Sequence, residues 1–281
     1  DEIEVYRGSD QQLGKERVGR PLTEMKDMEA FSVGMVTDAG ARIRLRQDLA
    51  AMRKRVQVSK LRPSAKSAAM RQLTALAPQI NTFARIKERG FRAIVPINAV
   101  HARIMQVNAA MLRAKGLPAV SVWKKNRWDR LGACEAPSKL RKTPPTIDVA
   151  MMNREYRSEA FNITNASNVP LTAVVRIEGL PHGANPDYVH VHQVEFVDTI
   201  KKVFVADALP LAVKTREGFA IFVPAGMTRQ VWLTFHPTDL VPQKHSGVIR
   251  VRPGDNSREI QLPLTLHVFD LTFPEQPTLS L

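Results

Sequence analysis

His190 and His192 stand two residues apart in the stretch YVHVHQVEF, and on a β-strand that spacing turns both imidazoles to one face. A pair so placed supplies two of the ligands that a divalent metal needs. Spacing identifies no third ligand, and Tyr188, Val194 and Phe196 share the same parity, which favours partly buried or surface histidines. A second cluster, VWKKNRWDRL at 122–131, sets Trp123 and Trp128 among Lys124, Lys125, Arg127 and Arg130. Aromatic rings beside cations stack on sugar rings or nucleobases, so these six are the candidate carbohydrate- or partner-binding residues. The competing reading packs both tryptophans into a seam between two parts of the molecule with the cations solvated. The place of the segment beside a domain boundary favours that reading.

For catalysis the sequence offers no pattern. There is no Gly-x-Ser-x-Gly, no phosphate-cradling glycine loop and no His-Glu-x-x-His. Glu155, Glu159, Glu195 and Asp198 fall on expected strands at spacings that mark no acid/base pair. No catalytic residue and no cofactor is therefore expected. Cys134 is the single cysteine, which excludes an intrachain disulfide and a thiolate metal cluster. Asn162-Ile163-Thr164 and Asn165-Ala166-Ser167 have the form of glycosylation sequons, but Asn and Ser are also the residues of a turn between strands.

The elements that must position these groups fall into two differently built halves. Hydrophobic content of 44% and charged content of 24% are those of a globular protein, and the net charge is +14. That charge is localised: residues 1–40 carry 5 basic and 9 acidic side chains, 41–145 carry 24 and 4, and 146–281 carry 12 and 14. Residues 1–37 show no sustained period and read as an irregular arm with at most one short strand or helix. From Thr37 and Asp38 onward, Leu45, Leu49, Met52 and Val56 form one helical stripe. Met70, Leu73, Ile80 and Phe83 mark a second helix, opened by Pro63 or Ser64 and kinked at Pro78. Ile97, Val100, Ile104, Val107 and Met111 mark a third, stopped at Gly116 and Pro118.

Beyond 145 the period becomes two. Leu171, Ala173, Val175 and Ile177 alternate with Thr172, Val174, Arg176 and Glu178, and Ile260, Leu262, Leu264, Leu266 and Val268 with Gln261, Pro263, Thr265 and His267. Comparable runs at 156–164, 188–197, 219–224, 230–236 and 247–252 complete the pattern of an antiparallel β-sandwich of seven to nine strands. The expected fold class is α+β: a basic helical hairpin or bundle (38–134), a linker (135–145) and an immunoglobulin-like β-sandwich (146–281). No run of eighteen apolar residues exists to span a membrane. The basic middle segment invites a nucleic-acid reading, but its cations fall on several helix faces and no nucleic-acid-binding signature accompanies them. An acidic protein or an anionic polymer suits them equally.

With the strands laid out, the second half resembles a known family. Its elements are MMNREYRSEAFNITNASNVPLTAVVRIEGL at 151–180, VHQVEFVDTIKKVFVADALPLA at 191–212, and the run from VPAGMTRQVWLTFHPTD at 223–239 to the final residue. They are similar to the β-sandwich that precedes a (β/α)8 barrel in bacterial glycoside-hydrolase-like proteins. The matching features are Asn153-Arg154-Glu155 opening a strand and the Ala206-Asp207-Ala208-Leu209-Pro210 segment. Trp232-Leu233-Thr234, the Pro237-Thr238-Asp239 turn, Ser246-Gly247-Val248-Ile249 and Val268-Phe269-Asp270 follow. The resemblance covers about 130 residues, and Lys244-His245-Ser246-Gly247 departs from its usual Gly-x-Tyr-x-Gly form. It implies a non-catalytic accessory region of a larger carbohydrate-active protein, secreted or periplasmic, with a barrel domain or other protein subunit and polysaccharide as partners. The composition by itself is equally compatible with the cytoplasm. The barrel would begin where this sequence stops, so the family's catalytic carboxylates have no positions here. An independent module whose basic helices engage nucleic acid or an anionic polymer or protein is the alternative.

Overall fold

The computed structural model describes residues 25–82, 93–139, 143–198, 204–254 and 258–274. Helix α1 is Met25–Val58, α2 Pro63–Leu76, α3 Gln79–Thr82 and α4 Ala99–Ala114. The stripe Leu45, Leu49, Met52 and Val56 is buried, as are Leu73, Ile80, Ile104, Val107 and Met111. Each such side chain withdrawn from water contributes on the order of 2 kcal/mol, which is what holds short helices together that would not persist alone. The helix therefore forms because its apolar face has a partner.

Three local features depart from the sequence reading. Residues 25–37, read as part of an irregular arm with at most one short strand or helix in it, belong to α1; Met25, Met28, Phe31 and Met35 stand at helical spacings of 3, 3 and 4, a stripe too short to register as a sustained period. The rest of that arm and Phe83 lie outside the described residues. Pro78 separates α2 from α3 rather than kinking one helix, because its ring excludes a continuous ladder. At α4, Asn98 is the cap: its Oδ1 accepts from the His101 N–H at 2.9 Å.

The strands are β1 Val120–Trp123, β2 Ile147–Asn153, β3 Arg157–Asn165, β4 Leu171–Glu178, β5 Val189–Gln193, β6 Glu195–Asp198, β7 Phe204–Ala208, β8 Val213–Lys214, β9 Phe219–Val223, β10 Thr228–Phe235, β11 Lys244–Arg252 and β12 Ile260–Thr272. One sheet has the order β1-β3-β10-β5 and the other β2-β12-β11-β4-β9-β8, while β6 and β7 form a hairpin of their own. The two sheets enclose a core in which Phe161, Ile163, Val231, Leu233 and Phe235 face Val175, Ile177, Ile249, Leu262, Leu264 and Leu266. Pairing is antiparallel except between β2 and β12, which run parallel. The fold is thus α+β, with an immunoglobulin-like sandwich as expected. Among the described residues its two sheets hold more strands than the seven to nine expected: β1 and β8 are too short to display a period, and β2, although it alternates, is not among the runs read from the sequence. Strand β1 also comes from within the stretch expected to be helical, upstream of 135–145.

A small polar knot fastens the helices to the sandwich. The turn between β9 and β10 contains Gly226, whose φ is +72°, and an added Cβ there would sit 2.4 Å from the Met105 carbonyl oxygen of α4. Beside it, buried Asn108 donates to the Gly226 carbonyl at 2.6 Å and accepts from Arg55 at 2.9 Å. Arg55 donates in turn to the Cys134 carbonyl at 3.2 Å. The hairpin β6–β7 completes the contact by sending Phe196, Phe204 and Ala206 into the helical core.

Candidate functional site

The segment after β1 is folded by its own polar residues. Trp123 lies half-buried against the helical core and donates through Nε1 to Thr164 Oγ1 at 2.8 Å, and Thr164 bonds Thr228 at 2.6 Å. Asn126 then makes an Asx turn, its Oδ1 accepting from the Trp128 N–H at 3.0 Å. Lys125 closes the loop, bonding Glu135 at 2.7 Å and the Arg130 carbonyl at 2.6 Å. Glu159, reaching up from β3, takes both Lys124 and, at 3.0 Å, Arg127. Three of the four cations are therefore held in ion pairs within the protein, with two carboxylates between them.

The result divides the six sequence candidates between two places. Trp123, Lys124 and Lys125 line a cleft of about 830 Å³, together with Val120, Ser121, Glu135, Thr146 and Asp148. Trp128 instead turns to the outer face of the β1-β3-β10-β5 sheet. It is 74% exposed and meets Trp232 edge-on, with ring centroids 5.4 Å apart and planes at 71°. The Arg127 guanidinium carbon lies 5.5 Å from the Trp128 ring. Arg130 is exposed.

Trp232, Thr234 and His236 follow one another along β10 and its extension at a spacing of two, so they share that outer face. His236 carries the second aromatic pair: Tyr156, 68% exposed, stacks on it with centroids 3.7 Å apart and planes at 4°. The two pairs are about 13 Å apart along the strand at ~3.3 Å per residue. Across the ladder, His192 stands opposite Trp232 and His190 opposite Thr234, with Ala160 and Ser158 on the other side. Trp232, Tyr156 and His236 are not among the sequence candidates. The only sign of them there is the alternation Trp-x-Thr-x-His, since the partner of each ring is set by register and loop path.

His190 and His192 keep the shared face but not the neighbours expected of them. The strand breaks after Gln193, the Val194 N–H turns to the Gln230 carbonyl at 2.9 Å, and Phe196 enters the helical core. His192 Nδ1 pairs with the Leu209 carbonyl at 2.9 Å. Among the described residues no group of three or more His, Cys, Asp or Glu is placed to hold a metal ion.

Two other polar groups are structural in their contacts. The Ile97 N–H donates to His101 Nδ1 at 3.2 Å, which leaves Nε2–H facing Asp48 at 3.0 Å, and Asp48 also binds Arg44 at 2.8 Å. Nearby, burial pushes the Cys134 thiol up to about 11, so it stays protonated beside Met105. Arg229 projects inward from β10 and donates to the carbonyls of Phe222 and Val194 at 3.2 and 3.1 Å. Burial lowers its pKa to about 10 against a raising influence of Glu195, so it remains a cation at neutral pH. The sequon asparagines Asn162 and Asn165 are fully buried, and Asn165 binds the carbonyls of Val169 and Val223.

No family model matches the chain, and no curated protein matches it. Solved structures that share part of its shape include a family 123 glycoside hydrolase from Clostridium perfringens, with a TM-score of 0.37 and 9% identity over 47% of this chain and 24% of that one. The N-terminal domain of PorA gives a TM-score of 0.28 and 11% identity over 53% of this chain and 96% of that one. The CooA pilin subunit from enterotoxigenic Escherichia coli gives 0.26 and 8% over 56% and 100%. The chain thus spans about a quarter of the hydrolase it matches, and likeness at this level assigns no activity.

Proposed function

We propose that this chain is a non-catalytic binding module, an accessory region of a larger carbohydrate-active protein, that presents polysaccharide along the outer face of β10. The observation that carries the reading is the pair of exposed aromatic contacts, Trp128 on Trp232 and Tyr156 on His236, at the two ends of one strand face. Rings fixed by neighbours offer apolar faces to sugar rings without losing side-chain freedom on binding. Thr234, Ser158 and His190 between them supply hydroxyl and imidazole groups for the sugar hydroxyls. Exposed Phe269 and Leu271 on β12, with Phe273 just beyond it, are a separate apolar row of the kind that another folded domain, such as a barrel, covers.

Affinity electrophoresis of the chain through gels containing cellulose derivatives, mannan, starch or xylan tests this reading. Retardation by at least one of them is expected, and Trp128→Ala and Tyr156→Ala should each weaken it about tenfold with the circular dichroism spectrum unchanged. Retardation untouched by both substitutions, or none in any gel, overturns it.

A second reading rests on a different observation. From Asp38 to Lys115 the sequence holds seventeen Lys and Arg against three carboxylates, of which Asp38 is buried and Asp48 is paired with Arg44. Among the described residues, Arg46, Arg53 and Arg103 reach the neutral acceptors Asn81, Thr74 and Gln79. A surface of one sign fits an acidic partner. Binding to polyphosphate or DNA that falls steeply with salt, with no response to neutral glycans, would move the function to the helices.

A further inference from the structure

Strand β1 is an edge strand, and its unpaired side opens into the 830 Å³ cleft. Which of its main-chain groups are spent follows from the ladder. The Asn165 N–H bonds the Met227 carbonyl and the Asn165 carbonyl takes the Gly226 N–H, so Asn165 turns toward β10. Alternation turns Ile163 the same way and leaves Thr164 and Asn162 to face β1. Their partners Ser121 and Trp123 therefore hold the strand in the sheet. Val120 and Val122, opposite Asn165 and Ile163, direct both N–H and C=O away from it. Among the described residues no hydrogen bond reaches these four groups. Their side chains face the sandwich core, so the edge is held at a fixed height by packing.

The cleft has a second unspent group. Ser121, which lines it, is only 6% exposed, and among the described residues its Oγ has no hydrogen-bond partner. A buried hydroxyl without a partner costs about 1–3 kcal/mol, so its presence beside a row of free amides and carbonyls points to a ligand that satisfies both. The facing wall is formed by Glu135–Lys139 and Thr143–Thr146, and the rim by Lys124, Lys125 and Lys139 with Asp148. Alternating donors and acceptors about 7 Å apart along a strand match one chemistry, an extended main chain.

We propose that the cleft is a β-strand-addition site in which an extended polypeptide segment of a partner protein, with an acidic residue opposite exposed Lys139, the rim lysine that no carboxylate among the described residues holds, pairs with Val120 and Val122. The segment continues the β1-β3-β10-β5 sheet by one strand. A polar side chain on it meets Ser121 Oγ. This site is separate from the aromatic face of β10, and either can fail without the other.

The test is selection from a phage-displayed random dodecapeptide library on the intact chain, followed by amide hydrogen exchange on the protein with the best synthetic peptide. Peptides with an alternating, acid-containing pattern are expected, and their binding should slow exchange at Val120 and Val122 at least tenfold. Val122→Pro removes the outward N–H while keeping the ladder to β3, since proline is tolerated on the free side of an edge strand; it should weaken the peptide about tenfold or more. Ser121→Ala should weaken it by a smaller factor. Failure to select any peptide, or binding that leaves both amides exchanging as before, overturns the proposal. Because exchange is read on the unaltered protein, either result is decisive even where Val122→Pro does not fold.

Discussion

At the scale of single residues, Cys134 illustrates how environment, rather than residue type, decides chemistry. Its thiol is buried against Met105 and its pKa is raised from 9.0 to about 11 by loss of hydration, with Arg55 pulling the other way. The folded chain should therefore resist iodoacetamide at pH 8 and be labelled at once in urea, as intact-mass spectrometry will report. The sign for stability follows: the folded thiol keeps its proton where the unfolded one has lost it. That contribution is complete below pH 9 and is lost as the pH climbs toward 11. Urea midpoints should fall over this interval in the native chain more than in Cys134→Ala. The histidines and tryptophans teach the same lesson. The parity of His190 and His192 was legible in the sequence, because alternation along a strand is local. That Trp128 would meet Trp232 and Tyr156 would meet His236 was not, because both contacts depend on register between distant strands and on one Asx turn.

At the scale of elements, legibility followed the length of the repeat. The α1 stripe and the alternations of β4 and β12 stand out because several buried positions recur in each. Four-residue β1 and two-residue β8 cannot show a period, and α1 before Thr37 offers only the short stripe Met25, Met28, Phe31 and Met35. The fastening of helices to sandwich was equally silent, since it rests on one glycine and one asparagine. Gly226→Ala makes the joint measurable. Its Cβ would strike the Met105 carbonyl in a conformation that L-residues avoid, so the substitution should cost about 3 kcal/mol or more in urea unfolding. Alanine at Gly183, where φ is +88° but space is open, should cost only about 1 kcal/mol.

At the scale of the whole molecule, the parallel pairing of β2 with β12 has a consequence for how the protein is made. Ile147, Val149 and Met151 lie in the middle of the sequence, yet their ladder partners Leu264, Leu266 and Val268 are among the last residues described. A chain cut after Gly254 should lose cooperative unfolding altogether, because β12 sits between β2 and β11 and no other strand can close that gap. During synthesis the same geometry imposes an order of events. The helices, rich in near-neighbour contacts, can settle while the ribosome is still at work, whereas β2 leaves the exit tunnel with no mate for more than a hundred codons. For that interval the nascent protein carries an apolar strand whose ladder partner does not yet exist, and it is then that the cell's holding chaperones have their opportunity.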